Sequence, residues 1–281
     1  MIARISPTMR SPLLVTGIVL FTVLVLVAVF APWLAPYDPR ALSGAALQSP
    51  SARHLLGTNE LGQDILSRIF WGARTTLVLA VAAAGLTLLV GGLLGVASGL
   101  LGGAVDMLTM RTVDVFLALP VLPLLVLVAA LVGPSRVNLI LVIGLIIWPV
   151  AARVVRSQTL TLRTRGFVAA ARGFGGGPWY LIRRHLAPAL GPILIAGFVN
   201  VAAQAVLLEA GLAFLGLADP TQVSWGLMLN RALLHQGVYF TPLWTWWVLP
   251  AGFAITMAVL AFTFLGVGLE PVFNPRVRRT P

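Results

Sequence analysis

The chain has no cysteine, no lysine and very little acid. Its 281 residues include 19 Lys+Arg, every one an arginine, against 8 Asp+Glu. Without cysteine there is no disulfide, no thiolate metal site and no cysteine nucleophile. Without lysine there can be no P-loop, because that motif needs a lysine on the β- and γ-phosphates. Any ATP this protein depends on is therefore bound by another chain. Charged residues of both signs make up only 10%, where soluble domains average about 25%. The three histidines, His54, His185 and His235, lie far apart and match no metal-ligand spacing. No Ser/His/Asp arrangement stands out, and so few acids argue against an intramembrane hydrolase.

What remains is apolar. The hydrophobic fraction is 59% and the mean hydropathy is +0.98, which points to one membrane domain (1–281) with no room for a soluble domain of ordinary size. A formal charge of +11 could suggest nucleic acid. The arginines, however, sit at the ends of apolar spans rather than among exposed aromatics, so nucleic acid is not an expected partner.

A membrane helix needs about 20 apolar residues. Six stretches qualify: Leu13 to Trp33, Thr75 to Leu101, Val113 to Leu131, Asn138 to Val155, Pro192 to Leu215 and Trp244 to Gly268. The first, within 12–35, follows Arg4 and Arg10, but its apolar run is long and ends in Pro-rich sequence rather than at a small-residue cleavage site. It is expected to be retained, followed by an extracytoplasmic loop (36–74) and a five-helix core (75–268). The expected fold is all-α, integral to the membrane, with six transmembrane helices.

Six spans place both termini on one side. With termini inside, the inner segments hold twelve arginines: Arg4, Arg10, Arg153, Arg156, Arg163, Arg165, Arg172, Arg183, Arg184, Arg276, Arg278 and Arg279. The outer segments hold six, namely Arg40, Arg53, Arg68, Arg74, Arg136 and Arg231, with Arg111 at a boundary. Positive-inside bias puts both termini in the cytoplasm. No Asp or Glu occurs between Phe116 and Leu208, so the loop between spans four and five (158–190) is purely cationic and cytoplasmic.

That loop is the most elaborate polar segment. Phe167 to Arg172 suits a short helix carrying Ala169, Ala170 and Ala171, and Gly173 with Gly175 to Gly177 is expected to end it. Pro178 suits the first position of a second helix through Trp179, Tyr180, Ile182 and His185, with Pro188 limiting its continuation. Two readings fit. The bare alanine patch and Arg172, Arg183 and Arg184 suit docking to an acidic partner, or the hairpin lies on anionic lipid of the inner leaflet.

Elsewhere, Leu61 to Trp71 is expected to form a short outer helix with an Asp64–Arg68 pair at i,i+4. Arg111 and Asp114 are expected to neutralise each other at i,i+3. Asn200 and Gln204 share a face of span five, where a polar pair marks either a pathway or interhelical contact. Glu209 is expected near the outer end of that span, in reach of water or an arginine, as a gate or a structural pair. Small residues such as Gly91 and Gly95 suit ordinary helix packing in lipid.

Taken together, these segments resemble the ABC importer permeases. The loop is similar to their cytoplasmic coupling motif, with Ala170, Ala171 and Gly175 at its small positions and Arg184-His185-Leu186-Ala187-Pro188 as its closing stretch. The C-type permeases of the dipeptide/oligopeptide/nickel group resemble nearly the whole chain. The similarity runs through Phe30 to Pro39, Leu56 to Arg68, Met110 to Asp114, Trp148-Pro149, Glu209 to Gly216 and Ser224 to Gly226. Two positions depart: the family's glutamate falls on Ala169, and a frequent Asp falls on Val267.

The resemblance implies a type I importer permease fold in the inner membrane and a non-catalytic role. It implies a second homologous permease, two cytoplasmic ATPase subunits that bind the ATP and Mg, and an extracytoplasmic binding protein. The cargo it implies is a di- or oligopeptide, with a nickel chelate as the alternative. On that resemblance the outer loops Tyr37 to Arg74 and Ala218 to Leu243 are expected to meet the binding protein, with Trp225, Trp244, Trp246 and Trp247 either contributing there or serving as interfacial anchors. The rival class is an ion-gradient transporter. Such proteins place ionisable groups at mid-membrane and show paired halves with broken helices, and neither pattern is apparent here.

Overall fold

The computed structural model describes residues 12–273. Five of the inward arginines, Arg4, Arg10, Arg276, Arg278 and Arg279, lie outside the described residues. Ten α-helices follow in order: α1 (Pro12–Leu34), α2 (Ile65–Leu101), α3 (Gly103–Ala118), α4 (Val121–Val132), α5 (Arg136–Arg163), α6 (Gly166–Gly173), α7 (Pro178–Leu181), α8 (Ala187–Phe214), α9 (Trp225–Leu234) and α10 (Leu243–Phe273). A π-helical turn, Ile182–Leu186, joins α7 to α8. Five helical runs are long and apolar enough to cross a membrane, and six if the bent pair α3–α4 is taken as one span.

The third pass is broken rather than straight. Leu119 precedes Pro120, whose ring disfavours helical geometry one residue earlier. Leu119 accordingly adopts φ −86°, ψ 140°, and the axis turns by 93°. The single span expected over 113–131 is corrected to two half-helices. Pro123 sits in the first turn of α4, where a missing N–H costs no helical hydrogen bond.

The second pass is longer than expected. No separate outer helix spans 61–71; α2 runs 37 residues from Ile65, about 55 Å at the α-helical rise. A hydrocarbon core is about 30 Å thick, so the first turns of α2 stand above it. Asp64 caps this helix, accepting from the Ser67 N–H at 2.8 Å and its hydroxyl at 2.7 Å. The expected Asp64–Arg68 ion pair is not formed. Arg68 is buried and donates to the Pro39 carbonyl at 2.9 Å and to Gln63 at 2.5 Å, while Asp64 faces His54 at 3.0 Å. Capping and the fold of the 35–64 loop outcompete the local i,i+4 geometry.

The centre of the bundle is α2 against α5, the most extensive helix pair. A glycine stripe on α2 makes it close. A Cβ added at Gly91 would lie 2.7 Å from the Trp148 carbonyl oxygen, and one at Gly95 would lie 2.6 Å from that of Ala152. Backbones in lipid approach this closely only where side chains are absent. The stripe is used inside the chain, as ordinary packing. At the far side, α1 lies on α10, with Gly17 against Phe264 and Leu265 and Gly268 against Leu14.

Ion pairs close the inner ends of the helices. Asp106 accepts from Arg156 Nε and Nη2, at 2.5 and 2.6 Å, and from the Ser98 hydroxyl. Asp114 pairs with Arg153 at 2.6 Å rather than with Arg111, which corrects the expected i,i+3 pair. Phe116 packs edge-on against Trp148 just beyond, so α3 is held to α5 along its length and Asp114 meets α5 before it meets its own turn.

Candidate functional site

The segment from Arg165 to Pro188 is a helical hairpin standing on its own small core. Val168, Leu181, Leu186 and Leu190 are buried together with Leu100 of α2 and Val155 of α5. This apolar anchor fixes the hairpin to the inner ends of three passes. Helix α6 ends after Gly173, one glycine later than expected, so Gly173 is helical. The reversal falls on Gly175 at φ +88°. Gly175 N–H donates to the Arg172 carbonyl at 3.0 Å and Gly176 N–H to that of Ala171 at 2.9 Å, the paired bonds of a left-handed helix cap.

The surface of the hairpin is open. Ala169, Ala170, Arg172, Gly175, Arg183, Arg184 and Pro188 are exposed, and Ala171 and His185 are half-buried. Phe174 is 93% and Trp179 72% exposed. The His185 ring lies between Phe167 and Tyr180, with centroids at 5.8 and 5.6 Å. The exposed large aromatics of this segment are flanked by cations and by no acid.

Pro188 does not stop the second helix, contrary to expectation. The π turn at Ile182–Leu186 immediately precedes it, and a local i→i+5 pattern accommodates a residue that lacks an N–H and crowds the carbonyl four residues back. Pro178–Phe214 thus forms one 37-residue run. The hairpin and the fifth membrane pass are mechanically one element.

Higher in the same run lies a cavity of about 910 Å³ between the α3–α4 bend, α5 and α8. Its walls include Phe116, Leu122, Val150 and Val201, and its only polar side chains are Asn200 and Gln204. The two amides expected to share a face do so, both on the cavity side of α8. Asn200 is also tied to packing: its Oδ1 would lie 2.8 Å from a Cβ placed on Gly266 of α10.

Glu209 is placed differently from expectation. It is 2% exposed, and among the described residues it makes no ion pair. The Thr76 hydroxyl of α2 donates to it at 3.3 Å. Sequence reasoning missed this because Thr76 is far away in sequence and uncharged.

The outer surface is stitched together from two loops. Arg40 donates to the Thr221 carbonyl at 3.0 Å, Arg231 to that of Pro220 at 3.2 Å, and Arg231 lies 3.9 Å from Glu60. Trp225 and Trp247, read as partner contacts or interfacial anchors, are each 1% exposed and serve as neither. The Trp225 indole donates to the Ile69 carbonyl at 3.0 Å. Trp244 is exposed at 44%. His54 belongs to this cap and stacks on Tyr37 at 4.8 Å, while His235 lies 5.5 Å from the Trp247 ring.

Apolar helices long enough to cross a membrane, an open cleft without charge and an exposed cationic hairpin define a multi-pass membrane protein. Residues 91–279 match the family described as binding-protein-dependent transport system inner membrane component, and residues 8–54 match the N-terminal transmembrane domain of oligopeptide transport permease C. The chain belongs to this family of inner-membrane ABC importer permeases.

Its relatives carry different cargo names. A putative peptide permease protein of Brucella suis is 39% identical over 262 residues, covering 92% of this chain and 86% of that relative. A probable D,D-dipeptide transport system permease protein of Escherichia coli K12 is 35% identical, covering 95% and 88%. A nickel transport system permease protein from the same strain is 36% identical, covering 93% of each chain.

Proposed function

We propose that this chain and a second, homologous permease bring their cavity faces together to line a translocation pathway for di- or oligopeptides. Two cytoplasmic ATPase subunits bind the ATP and Mg and hold the Arg165–Pro188 hairpin of each permease. An extracytoplasmic binding protein delivers cargo to the outer loops. The permease itself takes no cofactor and breaks no bond; it alternates between packings of similar energy.

The observation that carries this reading is the continuity of Pro178–Phe214. One helical run bears the exposed Arg183, Arg184, His185 and Pro188 at its inner end and Asn200 and Gln204 at the cavity. A displacement of the hairpin therefore moves the cavity wall without an intervening joint other than the π turn. Ala169, Ala170, Ala171 and Arg172 present the docking surface, and Gly175 sets the angle between its two arms. Ala169 leaves the partner without a carboxylate to pair, so docking rests on the aromatics and arginines. The two amides on the wall, Asn200 and Gln204, suit peptide N–H and C=O groups.

The test is transport by the purified complex in vesicles. Peptide-loaded binding protein should accelerate ATP hydrolysis and drive uptake. Uptake driven by a proton or sodium gradient in this chain alone, without ATPase subunits, would defeat the proposal. Replacing Gly175 by valine forces a β-branched residue into left-handed backbone, at a strain of about 1–2 kcal/mol. Uptake per ATP should fall while assembly persists; unchanged uptake would remove Gly175 from the mechanism.

A further inference from the structure

The outer turn between α9 and α10, residues 234–243, takes no part in the pathway, the hairpin or the polar stitching of the cap. Phe240 is 92% exposed, and Leu234, Tyr239 and Trp244 are exposed beside it in sequence. No Asp, Glu, Lys or Arg occurs from Ala232 to Leu269. The turn is nonetheless firmly built. Gly237 adopts φ +92°, and its carbonyl accepts from the Phe240 N–H at 3.0 Å and the Thr241 hydroxyl at 2.9 Å. Val238 is fully buried, and the His235 ring lies against Trp247. Exposed apolar surface gathered in one ordered turn marks an interaction site.

The height of the turn in the membrane follows from its neighbours. Helix α1 packs antiparallel on α10. A Cβ on Gly17 would lie 2.6 Å from the Leu265 nitrogen, one on Gly268 would lie 2.6 Å from Leu14 Cβ, and the Phe21 and Phe262 rings meet at 5.2 Å. Carried outward residue for residue, this register sets Trp33 level with about Leu249. The 23 residues of α1 cover about 34 Å, close to the roughly 30 Å of a hydrocarbon core. Trp33, 77% exposed and packed on Phe30, therefore marks the outer edge of that core. Trp244 stands about 8 Å higher, at the level of the lipid headgroups, and the turn directly precedes it. Exposed apolar side chains run on from the turn through Trp244, Leu249 and Phe253. None of the cavity walls comes from α1 or α10, so this side of the bundle faces lipid.

We propose that residues 234–243 form a lipid anchor: an ordered, uncharged turn that seats Tyr239 and Phe240 in the headgroup layer of the extracytoplasmic leaflet. Aromatic rings favour that layer, where an apolar body meets a polar boundary. The partner is the phospholipid interface itself, and with no cation in the turn its seating needs no anionic lipid. A soluble binding protein is the other candidate for an outer loop. The charged groups of the cap, Arg40, Glu60, Asp219 and Arg231, gather instead where the 35–64 loop meets Pro220 and Thr221. The anchor leaves that charged edge, and not the aromatic turn, for a soluble partner.

The chain has no native cysteine, so Tyr239→Cys and Phe240→Cys each take a single bimane label, as does Thr221→Cys beside Arg40. All three positions are exposed, so no substitution opens the core. The labelled full-length chains are placed in phosphatidylcholine nanodiscs, with or without phosphatidylglycerol. Headgroup-level nitroxide lipid quenches from the membrane, and iodide quenches from water. Labels at 239 and 240 should lose most of their emission to the nitroxide lipid and little to iodide, equally in both lipid mixtures. The label at 221 should do the reverse. Iodide quenching at 239 and 240 as strong as at 221 would put the turn in water and overturn the anchor. Nitroxide quenching that appears only with phosphatidylglycerol would overturn its uncharged basis. In the assembled complex, added binding protein should leave the labels at 239 and 240 unchanged; shielding of either from quencher would give the turn to that protein and overturn the anchor as well.

Discussion

The two ends of this molecule are built on opposite principles. The outer cap, residues 35–64 with 218–242, is tied by long-range polar contacts: Arg40 to Thr221, Arg68 to Pro39, Trp225 to Ile69 and His54 to Asp64. The inner hairpin is held by an apolar pin under one face, while Phe174, Trp179 and four exposed arginines (Arg165, Arg172, Arg183, Arg184) face outward. The cap is cross-tied by polar bonds between distant segments, whereas the hairpin carries an apolar anchor and an exposed cationic, aromatic face. The difference teaches where stability and partner binding should separate: side chains of the same type should matter for folding at one end and for association at the other.

A pair of tryptophans sets this contrast most sharply. Trp225→Ala empties a buried site and strands the Ile69 carbonyl, so unfolding in detergent should become easier by roughly 3–5 kcal/mol. Next in size, Asp64→Ala removes a helix cap and leaves His54 buried without its partner; a loss of about 2–4 kcal/mol is expected from the two terms. Both are read from thermal or denaturant midpoints of the purified permease.

At the inner end, Trp179→Ala should change stability by less than about 0.5 kcal/mol yet weaken ATPase-subunit association about 30-fold, as for a hot-spot aromatic. Titration of the reconstituted permease with ATPase subunits measures it. Equal stability losses for Trp179→Ala and Trp225→Ala would erase the distinction.

The smallest effect concerns acid. Asp219 lies in the outer loop, and the Thr221 hydroxyl and N–H, at 2.6 and 2.9 Å, hold its carboxyl below the usual range. A depressed folded pKa contributes stability that is complete above the unfolded value, about 3.9, and is lost as pH falls through the folded value. Because the group is largely solvated, the effect should be slight. Asp219→Asn should flatten only the acid limb of a stability–pH curve and leave the neutral region unchanged.

Much of the architecture was legible because membranes impose simple rules. Apolar length located the passes, arginine placement oriented them, and the alanine–glycine–proline order of the hairpin announced a helix, a reversal and a helix start. The misses share one cause. Pro120 was visible, but whether a proline kinks a pass or splits it depends on what α5 offers beside it. Asp64 and Asp114 had plausible partners four and three residues away, and both chose partners brought near by folding. Glu209 sat in a motif that gave no hint of Thr76, 133 positions earlier. Pro188 looked like a terminator, yet a π turn absorbed it.

The sequence alone determined that this is a six-pass membrane protein with a cationic inner hairpin and no nucleotide site of its own, since composition and local pattern dictate partition into lipid and backbone reversal. Tertiary structure alone decided which polar groups meet. Inside an apolar bundle a buried donor or acceptor must find a partner wherever the packing brings one, and that partner's identity is a property of three-dimensional proximity, not of spacing along the chain.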